Sequence, residues 1–527
     1  MKHYIYTLIG AIVLFITSSC SDSFTDVDPL VGIPEDVFQS SLTQDDIESI
    51  LTTMYNYMSE EEMFGRGFMW YINASDDMVT GRTKAAAAHF KNFQPTGDEG
   101  YASTMFNTCY KGIRSANEAL SDLSNITSLD SDLKKQYMGE AYFMRGFYYF
   151  WLASTWGNDV SGGLPIVTLD NMYDTPTRPA SVVDNYKQIV EDLTKAAQLL
   201  PLVTEYTGDK ADYLGRANKD ACYAYMAKTC LYWAQYDKSK YKDVIAYCDS
   251  VTNSDSGRDL IDTNNPGKDF RSVFTYENEY GSEYIWSVRS TIDRGSKLPG
   301  VMLENGGWSK YNGWGYFMPT EELYNEFEEG DYRRKATILN FGDTLVFLGD
   351  TMHYYSVNST SGFQFNKYMD IFKTKNAIGT LVNTNGDALY SEEDVPLLRY
   401  AEVLLMKAEA EIMSGGNGDA EINKVRDRAG LPPKAGCTMA DLKHERRVEL
   451  AGEYANRHRD LVRWNDAKET YSKALHGRIH TNGLDPTSDY TIEEIWAARD
   501  YDPDVNNVWM IPNDVIESLK ISQNKGY

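Results

Sequence analysis

The chain has few of the features that mark an enzyme or a disulfide scaffold. Its 527 residues include only six cysteines and seven histidines. No Cys-x-x-Cys pair occurs, and Cys222 and Cys230 sit eight apart in a helical pattern, on one face but too distant to bridge. With Cys20 set aside, Cys109, Cys222, Cys230, Cys248 and Cys437 form an odd set and read as buried thiols. No Gly-x-Ser-x-Gly elbow is present. Asn265-Pro266-Gly267-Lys268 lacks the first glycine and the hydroxyl residue of a phosphate loop. His444-Glu445 lacks the second histidine of a zinc-protease helix, His476 and His480 span a glycine, and acidic loops such as 249–262 leave calcium open although the twelve-residue calcium-loop pattern is absent. No cofactor and no metal is implied. The 77 acidic residues offer many carboxylate pairs for glycoside hydrolysis, but no reason to prefer one. Positive charge is also scarce. Lys and Arg number 51, the net charge is −26 and the pI about 4.7. That argues against nucleic acid and an anionic bilayer as direct ligands. It argues less strongly against sulfated polymers, because a local basic patch can override the average.

The one long apolar run is at the start. Lys2 and His3 precede a run from Ile5 to Ile16, too short to span a bilayer comfortably, and Thr17-Ser18-Ser19-Cys20 follow. Small residues before a cysteine at this point resemble a bacterial lipobox. The expectation is removal of residues 1–19 and lipidation of Cys20. Residues 20–40 begin as a polar, acidic tether similar to the tracts that send lipoproteins to the outer cell face, or equally a plain linker.

Apolar periodicity then predicts helices over 43–58, 104–123, 132–156, 181–201, 218–236, 241–250, 396–413, 419–429 and 438–466. Ser181 with Asp184 reads as a capping box, Pro396 as a first-turn residue, and Gly415-Gly416 as a stop. Segments starting at Ala141, Ala221 and Ala401 look alike, mixing small residues with aromatics, and the last two lead into a second helix. The expected fold is therefore mainly α: a degenerate tetratricopeptide-like scaffold, with helices about 104–156, 181–250 and 396–466, in one domain over 41–527. Residues 255–395 interrupt it with Gly, Asn, Ser, Tyr and Trp. They read as a loop-rich, partly β insertion containing a strand at Tyr284–Val288, and a smaller stretch of similar texture covers 63–101.

Several segments carry a resemblance to a known family. They are Arg145-Gly146-Phe147-Tyr148-Tyr149-Phe150-Trp151 with Gly163-Leu164-Pro165, Pro396-Leu397-Leu398-Arg399-Tyr400-Ala401-Glu402, and Arg426-Asp427-Arg428-Ala429-Gly430. Glu445-Arg446-Arg447-Val448-Glu449, Asp460-Leu461-Val462-Arg463-Trp464 and the ending Gln523 to Tyr527 complete the set. Together they resemble the SusD/RagB outer-membrane nutrient-binding lipoproteins across nearly the whole mature chain. Residues 158–162 lengthen the segment before Leu164, and Lys525 stands where proline is common. The resemblance implies a non-catalytic, lipid-anchored cell-surface protein. It would bind oligo- or polysaccharide and hand it to a SusC-like TonB-dependent transporter. A surface binder of peptide or another non-sugar nutrient is the alternative, and a glycan-degrading enzyme the third reading.

The residues themselves suggest where a sugar would bind. A pyranose offers a flat C–H face and a rim of hydroxyls, matched by an exposed aromatic ring with Asp, Asn or Arg beside it. Two clusters have that composition. One is Trp308, Tyr311, Asn312, Trp314 and Tyr316, set among glycines expected to leave the rings open. The other is Trp70, Tyr71, Asn73, Asp76, Asp77 and Arg82, whose paired aspartates suit a helix cap or a cation equally well. The charged residues Glu445 to Arg459 are expected to form structural ion pairs along one helix.

Overall fold

The computed structural model describes residues 42–527, apart from 82–84, 292–295, 305–312, 348, 357, 371–392, 486 and the side chains of 85 and 86. Cys20 and the tether therefore lie outside the described residues, as do Arg82, Trp308, Tyr311 and Asn312.

Nine main helices carry the fold: α1 Gln44–Met58, α2 Gly100–Asn125, α3 Ser131–Trp156, α4 Val182–Leu199, α5 Lys219–Trp233, α6 Tyr241–Thr252, α7 Tyr400–Met413, α8 Asp419–Arg428 and α9 Met439–Leu450. Their starts are chemically marked. The Thr43 hydroxyl accepts from the Asp46 N–H while the Asp46 carboxylate accepts from the Thr43 N–H. Asp130 caps α3 and Asn218 caps α5 through side-chain oxygens. Ser181 caps α4 by accepting from the Val183 N–H at 3.1 Å, but Asp184 does not complete the expected box and pairs with Lys187 instead.

Successive helices pack on one another: α2 on α3, α3 on α4, α4 on α5, α5 on α6. The chain then leaves, and α7 returns to pack on α6 before receiving α8 and α9. The insertion thus interrupts the sequence without interrupting the stack, which explains the uneven spacing of the three similar segments. Close approach is enforced locally. A Cβ on Gly112 of α2 would stand 2.2 Å from the Tyr148 ring of α3. Aromatic rings fill the interior, with Phe68 4.5 Å and Phe64 5.0 Å from Trp151, centre to centre. The five described cysteines are buried and unpaired.

Three secondary-structure assignments change. Residues Val395–Arg399 form a strand and not the first turn of α7; it pairs antiparallel with Tyr284–Val288, and both strands are wholly buried. A two-stranded ladder leaves one side unpaired, where a proline costs no hydrogen bond. The predicted helix 438–466 is broken after α9 and resumes at Arg457–Arg463, because Gly452 and Asn456 adopt left-handed backbone (φ 76° and 67°). Residues 63–101 hold more helix than their texture suggests, at Gly67–Asn73 and Ala85–Lys91.

The ion pairs expected along one helix instead cross between elements. Arg399 reaches Glu453 at 2.6 Å and Glu449 at 3.2 Å and also pairs with Glu283; Arg428 bonds Glu283 at 2.8 Å; Arg333 bonds Asp331 at 2.8 Å, Glu445 at 2.5 Å and Glu449 at 3.1 Å. All these groups are buried. Burial pushes the Glu449 carboxyl up, but Arg428, Arg399 and Arg333 outweigh it and hold it far below the usual carboxylate range. The network ties the insertion (283, 331–333) to the returning strand and to α8 and α9.

Candidate functional site

The second aromatic cluster of the sequence folds inward. Trp70, Tyr71 and Asn73 lie on the short helix Gly67–Asn73, every residue of which is buried. The Trp70 ring meets Tyr316 at 5.2 Å and Phe317 at 5.1 Å; Tyr71 meets Trp509 at 4.9 Å. Asp76 is held by Arg447 at 2.9 Å and Arg457 at 3.0 Å, and Asp77 by Arg447 at 2.7 Å. Burial pushes both carboxyls up; for Asp76 the two arginines prevail, and for Asp77 burial does. The buried Lys91 ammonium donates to the carbonyls of Asn73 at 2.8 Å, Ser75 at 2.5 Å and Met78 at 2.6 Å. Asp76 and Asp77 therefore lock a turn to Arg447 of α9 and Arg457 beyond it, while the buried Trp70, Tyr71 and Asn73 present no ring face to a ligand. The physical reason is long-range cover, since residues 316–317 and 509 close over rings that the local sequence leaves open.

The first cluster is placed differently. Tyr316 is buried, while Trp314 is only half-buried. The glycines beside Trp314 do not simply expose it. Gly313 donates to the Glu304 carbonyl at 3.2 Å, Trp314 to Gly300 at 2.9 Å, Gly315 to Leu303 at 2.8 Å and Tyr316 to Val301 at 3.0 Å. A Cβ on Gly313 would lie 2.0 Å from the Leu303 carbonyl oxygen. Glycine is needed here for close backbone approach, which clamps this segment to the helix Leu298–Met302. Glu304, at the base of the same segment, accepts from the Asn358 N–H at 2.5 Å, and burial pushes its carboxyl up to about 7.

Arg66 organises the surroundings of Trp314. Its guanidinium carbon lies 4.9 Å from the Trp314 ring centre, 4.9 Å from Tyr316 and 4.7 Å from Tyr101, whose hydroxyl it also contacts. Glu61 pairs with Arg66 and, at 2.8 Å, with Lys297. Tyr101, half-buried on the first turn of α2, borders a groove of about 440 Å³ lined also by Glu62, His89, Thr96, Asp98 and Thr104. His89 and Thr96 are held against Glu99 at 3.0 Å and 2.8 Å. Tyr101 brings a half-buried ring to this groove of carboxylates, hydroxyls and an imidazole, a composition suited to a flat apolar face with a hydrogen-bonding rim, while Trp314 is linked to it through Arg66 and does not itself line it. Arg66, His89, Asp98 and Tyr101 were not among the sequence candidates. Their only local signal is the loop-like texture of 63–101.

Glu328, His444 and Glu445 bring ligand atoms within 4.8 Å of one another, as a metal site does. Arg426 already donates to Glu328 at 2.6 Å and Glu445 at 3.1 Å, so a guanidinium supplies the positive charge there.

Comparison with known proteins agrees with the fold. Residues 273–527 match the model described as "SusD family", and residues 32–231 the model described as "Starch-binding associating with outer membrane". A SusD-like protein P2 of Formosa agariphila is 25% identical over 95% of this chain and 96% of its own length; a SusD-like protein of Bacteroides ovatus is 25% identical over 87% and 82%. Among solved structures, a SusD-like protein from Bacteroides fragilis superposes with a TM-score of 0.77 at 23% identity, covering 95% of this chain and all of the other. A laminarin-binding SusD-like protein superposes with 0.71 at 25% identity, covering 92% and 100%.

Proposed function

This chain belongs to the SusD family, and from that premise we propose that it is a non-catalytic cell-surface lipoprotein that binds oligo- or polysaccharide and passes it to a SusC-like TonB-dependent transporter. The observation that carries the sugar reading is the half-buried Tyr101 ring on a polar groove of about 440 Å³, joined through Arg66 to the half-buried Trp314 ring. A ring face plus a polar rim discriminates a pyranose from a purely apolar ligand. The relatives point the same way, one solved structure being titled laminarin-binding and another a surface glycan-binding protein from Bacteroides uniformis. The description "associating with outer membrane" and the lipobox-like end at Cys20 support an anchored position on that membrane. Trp308, Tyr311, Asn312 and Arg82 belong to this proposal as further candidates from sequence.

Affinity electrophoresis of the mature chain through gels containing neutral polysaccharides tests the site. Retardation is expected in at least one gel, and Trp314→Ala is expected to weaken it about tenfold, the effect of losing roughly 1.4 kcal/mol of ring contact. Unchanged retardation in both Trp314→Ala and Trp308→Ala sinks the site assignment. Shortened glycan products appearing on a chromatogram would overturn the non-catalytic role. Growth on the bound glycan is expected to fail in a Cys20→Ala strain.

A further inference from the structure

A groove of about 610 Å³ lies between the segment 266–275 and residues 330–346. It shares no lining residue with the site near Trp314. Its floor carries Tyr332, which is 53% exposed although its ring is firmly seated. A Cβ on Gly430 would stand 2.7 Å from two ring carbons, one on Gly267 would stand 3.4 Å away, and the Tyr332 N–H donates to the Ala429 carbonyl at 3.4 Å. Gly430 takes positive φ (78°), so the seat is built from backbone that only glycine readily provides. An aromatic ring braced by backbone at its edges and still half-exposed is a preorganised platform.

Cations surround it. Lys268 and Lys335 are exposed and Arg334 is half-buried. Among the described residues no carboxylate comes within ion-pair distance of any of the three, and Asp343 feels Lys335 and Arg334 only at longer range. Arg271, also lining the groove, donates to the Asn366 carbonyl and feels the charge of Asp370. The other acid of the lining, Asp331, is occupied by the buried Arg333 at 2.8 Å. On a molecule of net charge −26, such a gathering of basic side chains around one ring is a local reversal of sign.

We propose that this groove is a second saccharide site, selective for a sugar bearing an anionic group. One sugar ring stacks on Tyr332 while Lys268, Lys335 and Arg334 bind its carboxylate or sulfate. The volume suits one or two sugar residues. The surrounding negative charge makes binding depend on the local cations, so affinity falls with salt.

Titration calorimetry with the mature chain, using a galacturonate tetrasaccharide, a chondroitin sulfate tetrasaccharide and a neutral tetrasaccharide, tests this. At least one anionic sugar is expected to bind at low salt and to weaken in about 0.3 M salt. Binding of the first alone assigns a carboxylate site, of the second alone a sulfate site. The double variant Lys268→Ala/Lys335→Ala is expected to lower that affinity about tenfold or more, since a charge-assisted hydrogen bond contributes roughly 1.5–3 kcal/mol. Tyr332→Ala is expected to lower it as well. Neutral glycan retention, which reads the Trp314 site, should not change in either variant. Anionic sugars that fail to bind, that bind both variants as tightly as the parent, or that are matched by inorganic sulfate alone overturn the proposal.

Discussion

Arg333 and Arg334 are neighbours in sequence and opposites in structure. Arg333 is fully buried with three carboxylates around it, whereas Arg334 lines an open groove, stacks 5.3 Å from the Tyr324 ring and has no carboxylate pair among the described residues. The same contrast separates the two regions they belong to. In the interior network Arg333, Arg399 and Arg428 share Glu449, and Arg399 and Arg428 also share Glu283, so each charge is spoken for from several sides. In the groove, cations gather around a ring without that neutralisation. Buried charge that is fully paired fixes how segments meet, while surface charge left in surplus is available to a ligand.

The largest test of this contrast is Arg399→Ala. Removing one partner leaves Glu283, Glu449 and Glu453 buried with less compensation, and a loss of about 3–5 kcal/mol is expected. A chemical denaturation midpoint measures it, and a loss comparable to that of a surface substitution would show the network to be inert. Next comes Glu304. Its carboxyl is pushed up to about 7 by burial, from an ordinary value of 4.5. The folded protein therefore holds this proton more tightly than the unfolded chain. Its stabilising contribution is present below pH 4.5 and is lost as pH rises to about 7. Glu304→Gln should remove that slope and be the more stable form at pH 8 by an amount on the order of 3 kcal/mol, as read from melting temperatures across pH. A parallel pH profile for the two proteins would refute it. Gly112→Ala is third. Its new Cβ would fall 2.2 Å from the Tyr148 ring, so an overpacking loss of about 1–3 kcal/mol is expected in the same denaturation assay. The smallest effect closes the comparison: Arg334→Ala should change stability by no more than about 0.5 kcal/mol, unlike its neighbour. A large loss there would mean that the groove cations are structural.

Much of the scaffold was legible in sequence because long helices repeat their apolar positions every three to four residues. The α1 segment, which buries Ile47, Leu51, Met54 and Met58, and the α4 segment, which buries Val182, Tyr186, Ile189, Leu193 and Ala196, show it plainly. Val395–Arg399 was not, since a short apolar run suits a buried strand and a helix start equally, and the choice was made by pairing with Tyr284–Val288. The break after α9 was missed for a related reason. A single Gly452 and Asn456 interrupt a pattern only when the backbone turns left-handed, and Phe365 packing within 2.8 Å of the position a Gly452 Cβ would occupy shows that close approach also favours glycine there.

The candidate site divides along the same line. Local composition selected Trp314 together with Trp70, because both sit in aromatic, polar surroundings. It could not say which ring is covered. Trp70 is closed off by Tyr316 and Phe317, which arrive from the insertion, while Trp314 stays half-buried at its edge. Tyr101 and Arg66 were invisible as partners because no short-range pattern links them to residue 314. Periodicity, composition and the set of motifs were thus enough to determine a helical scaffold of one family. The tertiary structure alone decided which aromatics face inward, which charges are consumed and where basic side chains are left in surplus, because burial is a property of distant segments meeting and not of any stretch of chain by itself.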